Sequence, residues 1–347
     1  MVAPLGSGLV KRVLVIGAAG MIGRKLTERL AKDGGLQGEA IGELLLHDVV
    51  ESSAPAAPFK VKTTASDLSA PGEAERLVAE RPDLIFHLAA IVSGEAEADF
   101  EKGYRINLDG TRRLFEAIRR VGEGYRPRVV FTSSIAVFGA PFPEAIGDEF
   151  LNAPLTSYGT QKAIDELLLA DYSRRGFFDG ISLRLPTICV RPGKPNRAAS
   201  GFFSGIIREP LAGQEALLPV PRTVRHWFAS PRAAIGFLLH AARMDTAQLG
   251  ARRNLTMPGV AATVGEQIEA LRRLAGDAAV QRIREEPDAT IMRIVEGWPR
   301  NFDPRRALAL GFRADASFDD IIRIHIEDEK MPAPLRGSGS ASSAAGS

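Results

Sequence analysis

Residues 13–16, Val-Leu-Val-Ile, form a short apolar run of β-forming side chains, and Gly17-Ala-Ala-Gly20-Met-Ile-Gly23 follows at once. The helical pattern RKLTERLAKD comes next. A buried strand that turns within a few residues into a helix opens a βαβ unit, and such units build parallel sheets. Gly17 permits the tight turn, Gly20 lets a pyrophosphate approach the backbone, and Gly23 lets the helix pack closely. The free N–H groups and positive dipole end of that helix suit phosphates. The pattern is a dinucleotide-binding fingerprint, with Gly17, Gly20, Met21 and Ile22 as its candidate contacts. The plainer alternative is an ordinary βα turn with spare glycines.

A second strand, Glu43-Leu-Leu-Leu-His-Asp48, ends in an acidic residue 25 positions after Gly23, delayed by the loop segment DGGLQGEAIGE. A carboxylate there suits two ribose hydroxyls and repels a 2′-phosphate, which favours NAD over NADP. An ordinary strand-end aspartate would look the same. His47 has no second histidine or cysteine at metal spacing, so no metal site is expected.

Strands and helices then alternate. Val61–Thr64 reads as a strand, PGEAERLVAERP as a helix, Asp83–Ala90 as a buried strand, Tyr104–Arg120 as a long helix and Arg128–Ser134 as a further strand. This alternation predicts an α/β fold with a doubly wound parallel sheet, whose ligands bind beyond the strand C-termini. Ile181–Pro186 reads as the sixth strand, followed by the loop VRPGKPNRAASG and by shorter segments, with helices at Pro231–Met244 and Val264–Ala275. The organisation expected is a nucleotide-binding domain over 11–186 and a smaller C-terminal substrate domain over 187–330, some of it returning to the first. Residues 331–347 and 1–9 are low in complexity and expected to be untethered.

Within S157-YGTQKAIDELLLADY the apolar residues recur at helical spacing, which puts Tyr158 and Lys162 on one face, one turn apart. An unperturbed tyrosine phenol titrates only near pH ~10. An ammonium beside it favours the phenolate, so Lys162 is expected to draw Tyr158 toward the working range. Ser134, 24 residues upstream, can hydrogen-bond a substrate oxygen while Tyr158 moves its proton. Alone the Tyr-x-x-x-Lys pair is weak; beside a hydride-carrier site it points to a dehydrogenase.

Composition narrows the classes. Lysine plus arginine number 44 against 42 acidic residues, with no long basic run, which gives nucleic-acid binding no support. The single cysteine, Cys189, excludes an intramolecular disulfide framework and fits a reducing cytoplasm. Lys11-Arg12 before an apolar run imitates a signal peptide, but the run breaks at the glycines. No run of 18 apolar residues exists, so no membrane span is expected.

The motifs GAAGMIG, the acidic Asp48, Asp67-Leu68, HLAA at 87–90, Asn107 in INLDGT, TSSIAVFG, YGTQK and LRLPTICVRPG stand in order over roughly 12–330. This set resembles the extended short-chain dehydrogenase/reductase superfamily, with its Rossmann sheet. The resemblance implies catalytic Ser134, Tyr158 and Lys162, with Lys162 also on the nicotinamide ribose. It implies Asp67 and Leu68 at the adenine, Ala89 and Ala90 along the cofactor's middle, and Pro186 among the NAD contacts. Asn107 would hold a helix bend and a water on the proton route; a solvated helix residue is its plainer reading. The resemblance also implies a homodimer through the helices of 104–120 and 158–172. Ile164, Leu167, Leu168 and Leu169 are more apolar than one buried face needs, although all could pack on their own sheet.

Within the superfamily the segments AAIVSGEAEADFEKGYRINLDGTR and VRPGKPNRAASGFFSGIIREPLAGQ, with VRHWFASPRAA, are similar to the D-erythronate dehydrogenase group. That implies NAD-dependent oxidation at C2 of a four-carbon sugar acid. Arg225 is the carboxylate candidate, since an arginine there meets the diphosphate in nucleotide-sugar relatives. Ser93 and Thr187 are candidate hydroxyl contacts. Pairing of Arg225 with an acidic neighbour, and simple loop or strand-end roles for Ser93 and Thr187, are the alternatives. Ile135-Ala136 stand where dehydratases carry an Asp-Glu pair, and Phe138 and His226-Trp227 depart from many epimerases. A nucleotide-sugar 4-epimerase or reductase, and a non-catalytic NAD-sensing protein, are the competing readings; Tyr158 speaks against the last.

Overall fold

The computed structural model describes residues 12–36, 39–193 and 199–331. In chain order the strands that position the site are β1 (Arg12–Ile16), β2 (Glu43–Asp48), β3 (Lys60–Ala65), β4 (Leu84–His87), β5 (Arg128–Ser134) and β6 (Asp179–Leu185). They continue as β7 (Thr187–Ile188), β8 (Arg225–Ala229), β9 (Asn254–Thr256) and β10 (Val260–Thr263). The helices are α1 (Met21–Asp33), α2 (Gly110–Val121), α3 (Ser157–Arg174), α4 (Gly201–Leu211), α5 (Pro231–Arg243), α6 (Val264–Ala275) and α7 (Phe318–Asp328).

Seven strands form one parallel sheet in the order β9-β6-β5-β4-β1-β2-β3. That is the doubly wound order with β9 added at one edge, and its switch point lies between β1 and β4. Side chains alternate across it. Val13, Val15, Leu44, Leu46, Phe86 and Val130 pack under Leu26 and Leu30 of α1 and Ile235 and Leu238 of α5. Leu14, Ile16, Leu45, Ile85, Val129 and Phe131 pack against Leu114, Phe115 and Ile118 of α2 and Leu169 of α3. Each such fully buried side chain contributes about 1.5–3 kcal/mol. The sheet therefore holds the loops at its C-terminal edge on a rigid base.

A second core joins Phe203, Ile206 and Ile207 of α4, Ile268 and Leu271 of α6, and Phe318, Ile321 and Ile322 of α7. Beside it, β8 pairs in parallel with β7 and antiparallel with β10. Within this stretch the chain returns to the first unit: α5 and β9, between β8 and β10, both pack on the nucleotide-binding sheet.

Several elements differ from the sequence reading. The helix expected at 104–120 is a π-helical turn, Tyr104–Asp109, running into α2. There the Asn107 side chain turns inward to hydrogen-bond the backbone of Ile91 and the Gln161 amide. The long loop before Asp48 carries a small ladder pairing Gly35–Leu36 with Glu39–Ala40. Helix α7, capped by Ser317, has no counterpart in the sequence reading; four acidic residues and one arginine among its eleven obscure its apolar stripe. Residues 1–9 and all but Met331 of 331–347 lie outside the described residues. No described helix is long and apolar enough to cross a membrane.

Candidate active site

The turn after β1 is shaped as a nucleotide cradle. Gly17 has φ +91°, and a Cβ there would come within 2.6 Å of the Ala89 nitrogen. A Cβ on Gly23 would stand 2.1 Å from the Gly17 oxygen. Both positions exclude side chains, so β1, α1 and the end of β4 meet backbone to backbone. Gly17 and Ala18 donate to the His47 carbonyl at 2.8 and 3.1 Å, and Ala19 donates to Asp48 Oδ2 at 2.9 Å. No side chain caps α1 and its first turn holds no acid, so its free N–H groups and dipole end are left for an anion. Met21, Ile22, Asp48, Asp67, Ala89 and Ala90 are all half-buried along this edge. These residues fit an NAD molecule: phosphates at the helix end and ribose hydroxyls at Asp48.

Two expected contacts differ in detail. Asp67 Oδ1 accepts from the Ser69 hydroxyl and backbone N–H, and Oδ2 from Arg105 at 2.6 Å. Burial raises the Asp67 pKa, but these bonds outweigh it and hold the carboxyl below its usual value. Its side chain shapes the loop and is still 37% exposed. The Leu68 side chain is buried in the core, leaving its backbone at the rim. Pro186 is buried directly after β6.

The candidate reacting groups come from two elements. Ser134 ends β5 and its Oγ accepts from the Ala136 N–H at 3.1 Å. Tyr158 and Lys162 lie one turn apart in α3, whose start is capped by Thr156. Burial raises the Tyr158 pKa, while its hydrogen bond with Ser134 and the positive charge of Arg191 pull it back. The Lys162 ammonium lies 4.4 Å from the Phe131 ring centroid and 5.8 Å from that of Tyr158. Burial lowers its own pKa to about 8, opposed by Asp165 and Glu166. In this structure the groups that pull the phenol down are Ser134 and Arg191, with Lys162 one turn away. Asp165 and Glu166 hold the lysine charged, and Arg191 adds a second positive charge near Tyr158.

A buried polar network holds α3 against the sheet. Glu166 receives hydrogen bonds from Ser133 (2.6 Å), Arg184 (2.7 Å) and Asn254 (2.9 Å), joining α3 to β5, β6 and β9. Gln161 accepts from Asn107 at 2.7 Å, which joins α3 to the π-helical turn. His87 at the end of β4 meets Thr111 of α2 at 2.9 Å. Glu166, Gln161 and Arg184 escaped the sequence reading. A polar residue four positions after Lys162, on a face that must be buried, was the available signal.

The substrate candidates separate. Thr187 lies two residues past Leu185, the β6 partner of Ser134, and its hydroxyl is 2.7 Å from His226 Nε2. His226 Nδ1 donates to the Pro299 carbonyl at 2.8 Å, and the ring stacks on Phe203 at 5.2 Å. Burial pushes the His226 pKa down to about 4, so the ring is neutral with Nε2 as acceptor. Thr187 must then donate to His226, leaving its oxygen free to accept. Ser93 is half-buried at the start of the helix Ser93–Ala98. Arg225 pairs with Glu266 at 3.4 Å and opens on a cavity of about 720 Å³ shared with Arg293 and Arg300. Neither Ser134 nor Tyr158 lines that cavity. Strand alternation sends Arg225 and His226 to opposite faces of β8, and His226 is the one that reaches Thr187.

A cradle that seats NAD, placed against a Ser-Tyr-Lys group, defines a class. Residues 13–247 match the family described as the NAD dependent epimerase/dehydratase family, and the chain belongs to it. It is an NAD-dependent enzyme of the short-chain dehydrogenase type. The chain is 48% identical over 322 residues to a D-erythronate dehydrogenase of Cupriavidus necator, covering 91% of this chain and 98% of that protein. It is 41% identical over 316 residues to a D-erythronate dehydrogenase of Haemophilus influenzae, covering 91% and 99%. A crystal structure described as the nucleoside-diphosphate-sugar epimerase from Agrobacterium tumefaciens superposes with a TM-score of 0.91 at 64% identity, covering 94% and 98%. A GalE-like L-threonine dehydrogenase from Cupriavidus necator, in its holo form, has a TM-score of 0.78 at 22% identity, covering 92% and 99%, and shares the fold.

Proposed function

We propose that this chain oxidises the C2 hydroxyl of D-erythronate to the 2-keto acid. The single observation that carries the reading is the hydrogen-bonded Ser134–Tyr158 pair beside a glycine cradle, in a chain with two full-length relatives named for this substrate. NAD, when bound, supplies the hydride acceptor. Ser134 orients the substrate oxygen, and Tyr158 removes its proton. Lys162, one turn along α3, holds positive charge near the phenol and reaches for the nicotinamide ribose. Gly17, Gly20, Met21, Ile22, Asp48, Asp67, Leu68, Ala89, Ala90 and Pro186 form the cofactor groove. Asn107 supports it by fixing Ile91 and Gln161. Residues 187–330 supply the substrate-facing wall, including Thr187, with Ser93 on the opposite rim.

The setting we infer is sugar-acid breakdown in the cytoplasm, where Cys189, a free buried thiol, stays reduced. We also propose a homodimer through α3 and residues 104–120, the π-helical turn with α2. Leu169 is consumed by the core, but Leu167 is 71% exposed and Ile164 half-buried on α3, and Phe100, just before the π-helical turn, is 59% exposed. A second reading, a nucleotide-sugar epimerase, is favoured by the name of the Agrobacterium tumefaciens structure and by the three arginines of the 720 Å³ cavity. NAD reduction across four- to six-carbon aldonates, L-threonine and UDP-sugars separates the two. Turnover of D-erythronate well above threonate supports the proposal. Activity confined to UDP-sugars moves the chain to the second reading.

A further inference from the structure

The strand β6 ends opposite Ser134, and the chain runs from there through Thr187 and β7 to Arg191. This segment is anchored to α4. Ser204 Oγ accepts from the Arg191 backbone N–H at 3.0 Å, and Arg208 donates to the Arg191 carbonyl at 2.7 Å. The guanidinium is held by neutral groups: Nε donates to the Ile188 carbonyl at 3.2 Å and Nη2 to Ser200 Oγ at 3.3 Å. Among the described residues no carboxylate pairs with it. Other enclosed arginines are matched, Arg128 by Asp179 at 2.8 Å and Arg184 by Glu166 at 2.7 Å.

Arg191 is drawn out of water by its surroundings, and its positive charge is felt at both Tyr158 and His226. An arginine cannot lose its proton, so a cation left without an anion here carries an uncompensated desolvation cost. Its planar fork matches a carboxylate in two parallel hydrogen bonds. We propose that Arg191, and not Arg225, receives the carboxylate of the substrate. The inference rests on the sugar-acid reading above. A C2 hydroxyl is one carbon from its carboxylate, so the carboxylate site must lie beside the residue that deprotonates that hydroxyl. Arg191 is the guanidinium without a carboxylate on the chain that leaves β6 opposite Ser134, whereas Arg225 pairs with Glu266 on a cavity that neither Ser134 nor Tyr158 lines.

The test compares wild type, Arg191→Gln and Arg191→Lys on D-erythronate and on its neutral analogue D-erythronamide. A charged hydrogen-bond pair of about 1.5–3 kcal/mol corresponds to about 10- to 150-fold in affinity. Arg191→Gln is expected to raise KM for D-erythronate by that factor and to abolish the preference for acid over amide. Arg191→Lys should recover part of the loss, and guanidinium ion added to Arg191→Gln should recover more. NAD binding by fluorescence titration and the melting temperature report that the variants are folded. Folded Arg191→Gln with an unchanged KM and an unchanged acid-to-amide preference overturns the proposal alone. A wild type that neither binds nor oxidises any aldonate overturns the sugar-acid reading and the proposal with it.

Discussion

Asp48 Oδ2 accepts a hydrogen bond from the backbone N–H of Ala19 at 2.9 Å, tying the end of β2 to the glycine turn after β1. The carboxylate is thereby held in the cradle, and its second oxygen accepts more weakly from the Val50 N–H at 3.4 Å. A 2′-phosphate brought to it would meet about 1–4 kcal/mol of repulsion, depending on how dry the pocket is. Asp48→Ala is expected to reduce the NAD-over-NADP ratio of kcat/KM by at least about tenfold. Ratios measured with both cofactors in wild type and variant check this; an unchanged ratio assigns the preference elsewhere.

Glu166 and Arg184 form a buried pair, with side chains only 1% and 6% exposed. Removing one partner strands the other, so Glu166→Ala should cost about 3–5 kcal/mol in urea unfolding. Because Glu166 sits four residues after Lys162 in α3, the surviving folded protein should also lose kcat by a larger factor than KM changes. A variant with wild-type stability would show that the pair is not holding α3 to the sheet.

Much of the nucleotide cradle was legible, because its demands are local. A tight turn and close packing need glycine at Gly17 and Gly23, and a parallel strand end needs Asp48 within a short span. The substrate side was not legible in the same way. Arg225 looked suitable by position, yet the pleat of β8 turns it to Glu266 and turns His226 toward Thr187. Arg191 lies in a proline- and glycine-rich stretch that reads as loop, and only the tertiary fold sets its charge beside Tyr158. Likewise, nothing in the spacing of 104–120 announces a π-helical turn, in which Asn107 turns inward to Ile91 and Gln161.

Burial raises the Tyr158 pKa, so most of the protein carries a neutral phenol at pH ~7. If the phenolate is the base, log kcat/KM should climb with a slope of about +1 from neutral into alkaline pH. Tyr158→Phe should remove that limb, lower kcat by about 10²–10⁴-fold and leave NAD binding intact. Near-wild-type turnover in the folded variant would reassign the base.

His87 and His226 are buried neutral, with burial pushing their pKa values down to about 3 and about 4. Unfolding frees them to bind protons below about pH 6.5, so the unfolded state holds more protons and stability falls as pH drops. The loss starts near about 6.5 and runs down toward the folded values. Between about pH 6.5 and 5 each histidine should cost about 2 kcal/mol. Melting temperatures across that range check the sign, and a His226→Gln variant should flatten the slope.

The central claim is that the hydrogen leaving C2 of D-erythronate is the hydride, with Tyr158 taking the hydroxyl proton. D-erythronate deuterated at C2, turned over with NAD, tests it most directly. Deuterium should appear at C4 of the reduced nicotinamide, the product should be the 2-keto acid, and kcat/KM should show a primary isotope effect that persists or grows at low pH. Reduced cofactor free of deuterium, with the label retained in an oxidised product that is not the 2-keto acid, would contradict it.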